Sequence, residues 1–207
     1  MTEARTTLAI VAVLFVASVA RADDTFELRA QPAKRMRVDE LAWILTAGCE
    51  AGSEVQQRQC RLVRDRAWKP LAGATVAIEA ERSAFVVGAW DAQKKSLPLT
   101  LTACIRCDTA VELDGKQRRV VAAGPRTQFD NARAFPDEAS AKALTGQLAN
   151  ARVELIVKLP KVARKKPAPE LALEVIAWRV IAPCDGSAVI ANPPSSGVPP
   201  DPRACPK

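Results

Sequence analysis

Between Ala74 and Ala182, apolar and polar residues trade places at every second position over several short runs, the period of a half-buried β-strand. Val76 and Ile78 alternate with Thr75 and Glu79 in Ala74–Ala80. After the turn-like Glu81-Arg82-Ser83, Phe85–Trp90 reads as a returning strand, so the two runs predict a hairpin. Leu97, Leu99 and Leu101 alternate with Pro98, Thr100 and Thr102, and because a proline cannot donate to a ladder, this run predicts an edge strand. Asp114-Gly115 separates Ala110–Leu113 from Arg118–Ala122, a two-residue hairpin signal. Val153, Leu155, Val157 and Leu159 alternate in a further strand, and Leu171–Ala182, apolar on both faces, reads as a central one. A short strand is expected at Phe26–Arg29.

Two stretches carry the helical period instead. Ser53-Glu54-Val55-Gln56 is a capping box, and the helix it opens is expected to reach Trp68 before Pro70 stops it. On that helix Val55, Leu62, Val63 and Ala67 would face the core, and Glu54, Arg58, Arg61 and Asp65 would face water. A second helix is expected over Glu138–Ala149, with Asp137 as N-cap and Ala141, Leu144 and Leu148 as its buried stripe. The fold class predicted is α+β, mainly antiparallel β, as a sandwich or one strongly twisted sheet, with two helices near 54–67 and 138–149.

The start of the chain changes the compartment. Arg5 precedes Leu8–Val19, a run of 12 apolar or small residues broken only by Ser18, and Ala20-Arg21-Ala22 offers the small-x-small pattern of a signal-peptidase site. The run is short for the ~20 residues a spanning helix needs. Residues 1–22 are therefore read as a signal peptide, 23–191 as one disulfide-bonded β-rich domain, and 192–207 as a Pro-rich tail stapled by Cys205. No transmembrane segment is expected after cleavage. The chain has 30 basic and 23 acidic residues; losing Arg5, Arg21 and Glu3 leaves 28 against 22, a net +6.

Six cysteines, Cys49, Cys60, Cys104, Cys107, Cys184 and Cys205, read as a disulfide framework in an exported chain. Their clustering favours the sequential pairs Cys49–Cys60, Cys104–Cys107 and Cys184–Cys205, though six cysteines allow 15 connectivities. The chain holds no histidine and no tyrosine. Without histidine, Ser-His-Asp and Cys-His catalysis and histidine-ligated zinc sites are closed off. No phosphate-cradling glycine loop and no Ser-x-x-Lys pair occurs, and no cofactor, metal site or catalytic residue is expected. Asp108-Thr109-Ala110 and Asp185-Gly186-Ser187 only faintly resemble aspartic-protease triplets and lack their glycine at the third position. Glu79 and Glu81 could share a strand face.

One pattern occurs twice. Leu41-Ala42-Trp43-Ile44-Leu45-Thr46-Ala47-Gly48-Cys49-Glu50 aligns with Ile176-Ala177-Trp178-Arg179-Val180-Ile181-Ala182-Pro183-Cys184-Asp185 without a gap. It predicts two equivalent strands, each centred on a core tryptophan and ending at a cysteine. Cys104-Ile105-Arg106-Cys107 is the motif with the most obvious chemistry, but no helix is expected after it, and Asp108 would oppose a thiolate. Basic runs lie at Lys34-Arg35-Arg37, Lys116-Arg118-Arg119 and in the loop carrying Lys161, Arg164, Lys165 and Lys166, the last an expected polyanion-binding segment. No aromatic residues interleave with them, so nucleic acid is not an expected partner. The function expected is that of an exported, non-enzymatic binding or structural domain of a bacterial cell envelope, in the periplasm or outside the cell, whose partner is an anionic envelope component or another exported protein. Two other readings stand beside it: a thiol–disulfide oxidoreductase using Cys104 and Cys107, and an inhibitor or chaperone acting through the Lys161–Lys166 loop.

Overall fold

The computed structural model describes residues 24–46, 49–102, 104–113, 116–123, 129–162, 170–181 and 188–192. In chain order its elements are α1 (Phe26–Ala30), β1 (Lys34–Arg35), α2 (Val38–Thr46), α3 (Glu54–Trp68), β2 (Thr75–Ala80), β3 (Phe85–Val87), β4 (Ser96–Leu101), β5 (Cys104–Leu113), β6 (Lys116–Ala123), β7 (Phe129–Ala134), α4 (Glu138–Leu148), β8 (Arg152–Lys158), β9 (Glu170–Ile181) and β10 (Ala188–Asn192). A single turn of 3₁₀ helix, Arg82–Ala84, links β2 to β3.

Seven strands form one sheet in the order β1-β2-β8-β9-β6-β5. On the side of β9 away from β8, β6 pairs along Glu170–Glu174 and β10 along Trp178–Ile181. The sheet is mixed: β1 runs parallel to β2 and β6 parallel to β9, while the other pairs are antiparallel. The parallel pairing of β6 and β9 is possible because the chain between them is long enough to cross over, passing through β7, α4 and β8. A smaller sheet has the order β3-β4-β7.

Several expectations change here. The run after Glu81-Arg82-Ser83 does not turn back on β2; β3 leaves the main sheet and pairs with β4, Phe85 opposite Leu101. Pro98 is not on an edge, since β4 lies between β3 and β7. Its carbonyl still accepts from the Gly88 N–H at 2.8 Å, so only the donor half of the ladder is lost there. Gly88 suits that position, because a Cβ on it would come within 3.1 Å of the proline ring. Ala110–Leu113 and Arg118–Ala122 lie in paired antiparallel strands, while Asp114-Gly115 between them lies outside the described residues.

There are four helices among the described residues, not two. Phe26–Ala30 is α1, not a strand: the Thr25 hydroxyl accepts from Leu28 N–H, and Phe26 is buried against Ala77, Ile156 and Ala177 on one face of the main sheet. The first copy of the tryptophan pattern is α2. Val38, Leu41, Ala42 and Leu45 are buried at helical spacing, with Asp39 and Glu40 in the first turn. Its counterpart, Ile176–Ile181, is strand β9, so the two copies are not equivalent structures. Trp178 is fully buried, whereas Trp43 is only half-buried against the core. The helices α3 and α4 keep nearly the expected limits. Gln56 N–H donates to the Ser53 hydroxyl and Ser53 N–H to the Gln56 side-chain Oε1, while Ser140 N–H donates to Asp137 at 2.7 Å.

Most of the core lies on the other face of the main sheet. Val76, Ile78, Val153, Leu155, Val157, Leu171, Leu173, Val175, Trp178 and Val180 pack there with α2, α4 and the small sheet. The apolarity of β9 on both sides has a specific cause. The register slips between Ile156 and Val157, leaving Ile176 as an extra residue, so Leu171, Leu173 and Val175 reach the same core as Trp178 and Val180.

Candidate functional site

Where the chain leaves β2 near one edge of the sheet, it is tied to β5 at the other: Glu81 N–H donates to the Ile105 carbonyl at 2.9 Å. The sheet therefore curls around its core, and an open cleft of about 610 Å³ forms at this end. Met36 and Arg37 from the β1–α2 link and Val38 and Asp39 from the first turn of α2 line it, together with Glu79 to Arg82, Arg106, Ala151 and Arg152.

Cys104-Ile105-Arg106-Cys107 lies in this wall as part of β5. Register shifts on both sides of Arg106 mark bulges, which is what lets neighbouring side chains point to opposite sides. Ile105 is buried in the core, and Arg106 turns to the cleft. There its guanidinium donates to Asp39 at 2.6 Å and lies 3.6 Å from Glu81. The second oxygen of Glu81 accepts from Cys107 N–H at 3.2 Å. Cys104 and Cys107 are bridged, with Cα atoms 5.8 Å apart. The neighbouring Arg82 donates to the carbonyls of Leu148, at 2.7 Å, and Phe85, joining three elements; burial pushes its guanidinium pKa down.

This arrangement is poor for thiol chemistry. A redox-active pair wants a helix N-terminus or an uncompensated cation beside the attacking sulfur. Here the pair sits in a strand, Arg106 is already engaged by two carboxylates, and a third interaction places the Glu81 carboxylate at the Cys107 backbone. In the sequence Arg106 stands out only as part of the Cys104–Cys107 motif and Glu81 only beside Glu79. Nothing there points to Asp39, which only α2 brings to the site, or to the contact of Glu81 with Cys107.

The other expected sites disperse. Cys49 and Cys60 are bridged at a Cα separation of 5.5 Å, joining the chain beyond α2 to the middle of α3. Cys184, Cys205, Arg164, Lys165 and Lys166 lie outside the described residues, as does Asp185. Lys161 is exposed just beyond β8. Glu79 and Glu81 both line the cleft, yet Glu79 is on β2 and Glu81 begins the 3₁₀ turn, so they do not share a strand face. On the face carrying α1, Glu79 opposes Glu154, whose carboxylate accepts from Arg179 at 2.6 Å and meets Arg35 at 3.2 Å. Among the described residues no group of three or more acidic or cysteine side chains is placed to hold a metal ion. Comparison with protein-family models, curated proteins and solved structures finds no match.

Proposed function

We propose that this chain is an exported, disulfide-braced domain that works by binding or structural support and not by catalysis. The observation that carries this reading is the setting of Cys104 and Cys107. Their bridge closes a bulge in an edge strand, and the carboxylates of Asp39 and Glu81 engage Arg106 beside it. A cross-linked bulge at an edge blunts that edge against pairing with other chains, which is a structural role. Export is supported by the residue 1–22 pattern and by bridged cysteines, which persist in oxidising compartments. Among the described residues no helix is long and apolar enough to cross a membrane.

Non-reducing peptide mass spectrometry on the native protein, with free thiols blocked first, is the direct test. The expected result is an N-terminus at Asp23, no blocked thiol at Cys104 or Cys107, and insulin reduction by dithiothreitol at its uncatalysed rate. Catalysed insulin reduction that disappears in Cys104→Ser would establish the thiol–disulfide enzyme instead.

A further inference from the structure

The helix α3 is packed the opposite way round from what its pattern demands. The side turned to the body carries Gln57, Cys60, Arg64, Ala67 and Trp68, all half-buried, and none of the 15 residues of α3 is fully buried. Val55, Leu62 and Val63 point outward at 66%, 54% and 55% exposure. The core-facing expectation for these residues is thus reversed, and Ala67 alone of that set turns inward. The reason is covalent and local. Cys60 must meet Cys49, Trp68 packs on the core, and Gln57 donates to the carbonyls of Glu50 and Gly52. These anchors fix the rotation of the helix, and the aliphatic residues take the side that is left.

Two rows run along the outward side at four-residue spacing: Val55-Gln59-Val63 and Arg58-Leu62-Arg66. Arg58 and Arg66 are exposed and form no ion pair among the described residues. The surface is therefore an aliphatic centre with an exposed cation on each side, about 12 Å apart along the axis at 1.5 Å per residue. We propose that α3 is a docking helix for an acidic, amphipathic helical segment of another protein, with an aliphatic residue at its centre and carboxylates roughly one α-helical turn to either side. This names the partner for the binding-domain reading above and rests on it.

Charge decides against the other occupants. A second copy, packed antiparallel about Leu62, would set Arg58 against Arg66 of its neighbour, and like charges at that spacing repel. A lipid surface wants its cations on the face opposite the aliphatics, whereas here Arg66 and Gln59 lie among them and the opposite face is docked on the body.

The probe is a synthetic 21-residue helical peptide with Glu-x-x-x-Leu-x-x-x-Glu at its centre, titrated into the full mature chain and followed by fluorescence anisotropy. Saturable binding is expected, weakened at least about tenfold by Leu62→Ser and by the pair Arg58→Ser/Arg66→Ser. Both variants should keep the parental melting temperature, because these side chains make no core contact, and a peptide with lysine in place of glutamate should not bind. The proposal is overturned if the glutamate peptide does not bind, or if it binds the variants equally. It is also overturned if the same face instead drives self-association in sedimentation or takes up vesicles of phosphatidylglycerol and phosphatidylcholine. None of these outcomes alters the insulin assay, so failure of the docking helix is distinguishable from failure of the non-catalytic reading.

Discussion

Single residues hold this fold at places where the backbone has few other choices. Gly52 sits at φ +86, and a Cβ there would collide with the Gln56 amide oxygen, the atom that completes the capping box of α3. Asp91 does similar work in the link between β3 and β4, where its carboxylate accepts from Lys94 N–H and Gln93 N–H, both at 3.0 Å. Those bonds, the Lys94 one foremost, hold its pKa below the usual carboxylate range. A depressed folded pKa gives stability that is present above the unfolded value and is lost as the pH falls through the folded one. Amide exchange at Gln93 and Lys94 should therefore quicken selectively in strong acid, below pH ~3.9. In Asp91→Asn, which keeps an acceptor but cannot titrate, nuclear magnetic resonance should find that acid dependence gone. Persistence of the dependence would assign it to another group.

At the scale of elements, covalent and capping interactions outweigh amphipathic pattern in one helix and agree with it in another. The pattern places α4 correctly because Ala141, Leu144 and Leu148 meet the core that the pattern implies. For α3 the same logic gives the right limits and the wrong rotation. Its ends are local matters, set by Ser53, Gln56 and Pro70, whereas its rotation depends on the bridge to Cys49, which lies beyond α2. A bridge spanning a loop of this length contributes ~3 kcal/mol, chiefly by restricting the unfolded chain. Because α3 has little buried area of its own, Cys49→Ala/Cys60→Ala should release the helix without unfolding the sheet. Trypsin should then cut fast at Arg58 and Arg61 while the rest of the domain resists. Uniform digestion of the whole chain would mean that α3 and the sheet are one cooperative unit.

For the molecule as a whole, Trp178 packs the main sheet against the small one, fully buried on β9 with Phe85 of β3 at a ring-centroid distance of 6.1 Å. Trp178→Ala should destabilise by ~3–5 kcal/mol, the cost typical of removing a large core aromatic. Calorimetry should show the melting temperature falling by roughly 6–20 °C for a domain of this size. Trp178→Phe should lose a fraction of that. The amino-acid sequence by itself determined what depends on near neighbours along the chain. That includes the presence of strands β2, β8 and β9, the limits of α3 and α4, the cysteine-rich character and the absence of histidine chemistry. Period, capping and composition are local or global properties that need no partner. Tertiary structure alone decided the rest. The repeated tryptophan pattern lies in helix α2 over Leu41–Thr46 and in strand β9 over Ile176–Ile181, since Leu41 and Leu45 met a sheet face while Trp178 met two neighbouring strands. The parallel join of β6 to β9, the central place of β4 and the meeting of Asp39, Glu81 and Arg106 all link residues far apart in the chain. Such contacts are settled by which surfaces the folded backbone brings together, and residue spacing carries no record of that.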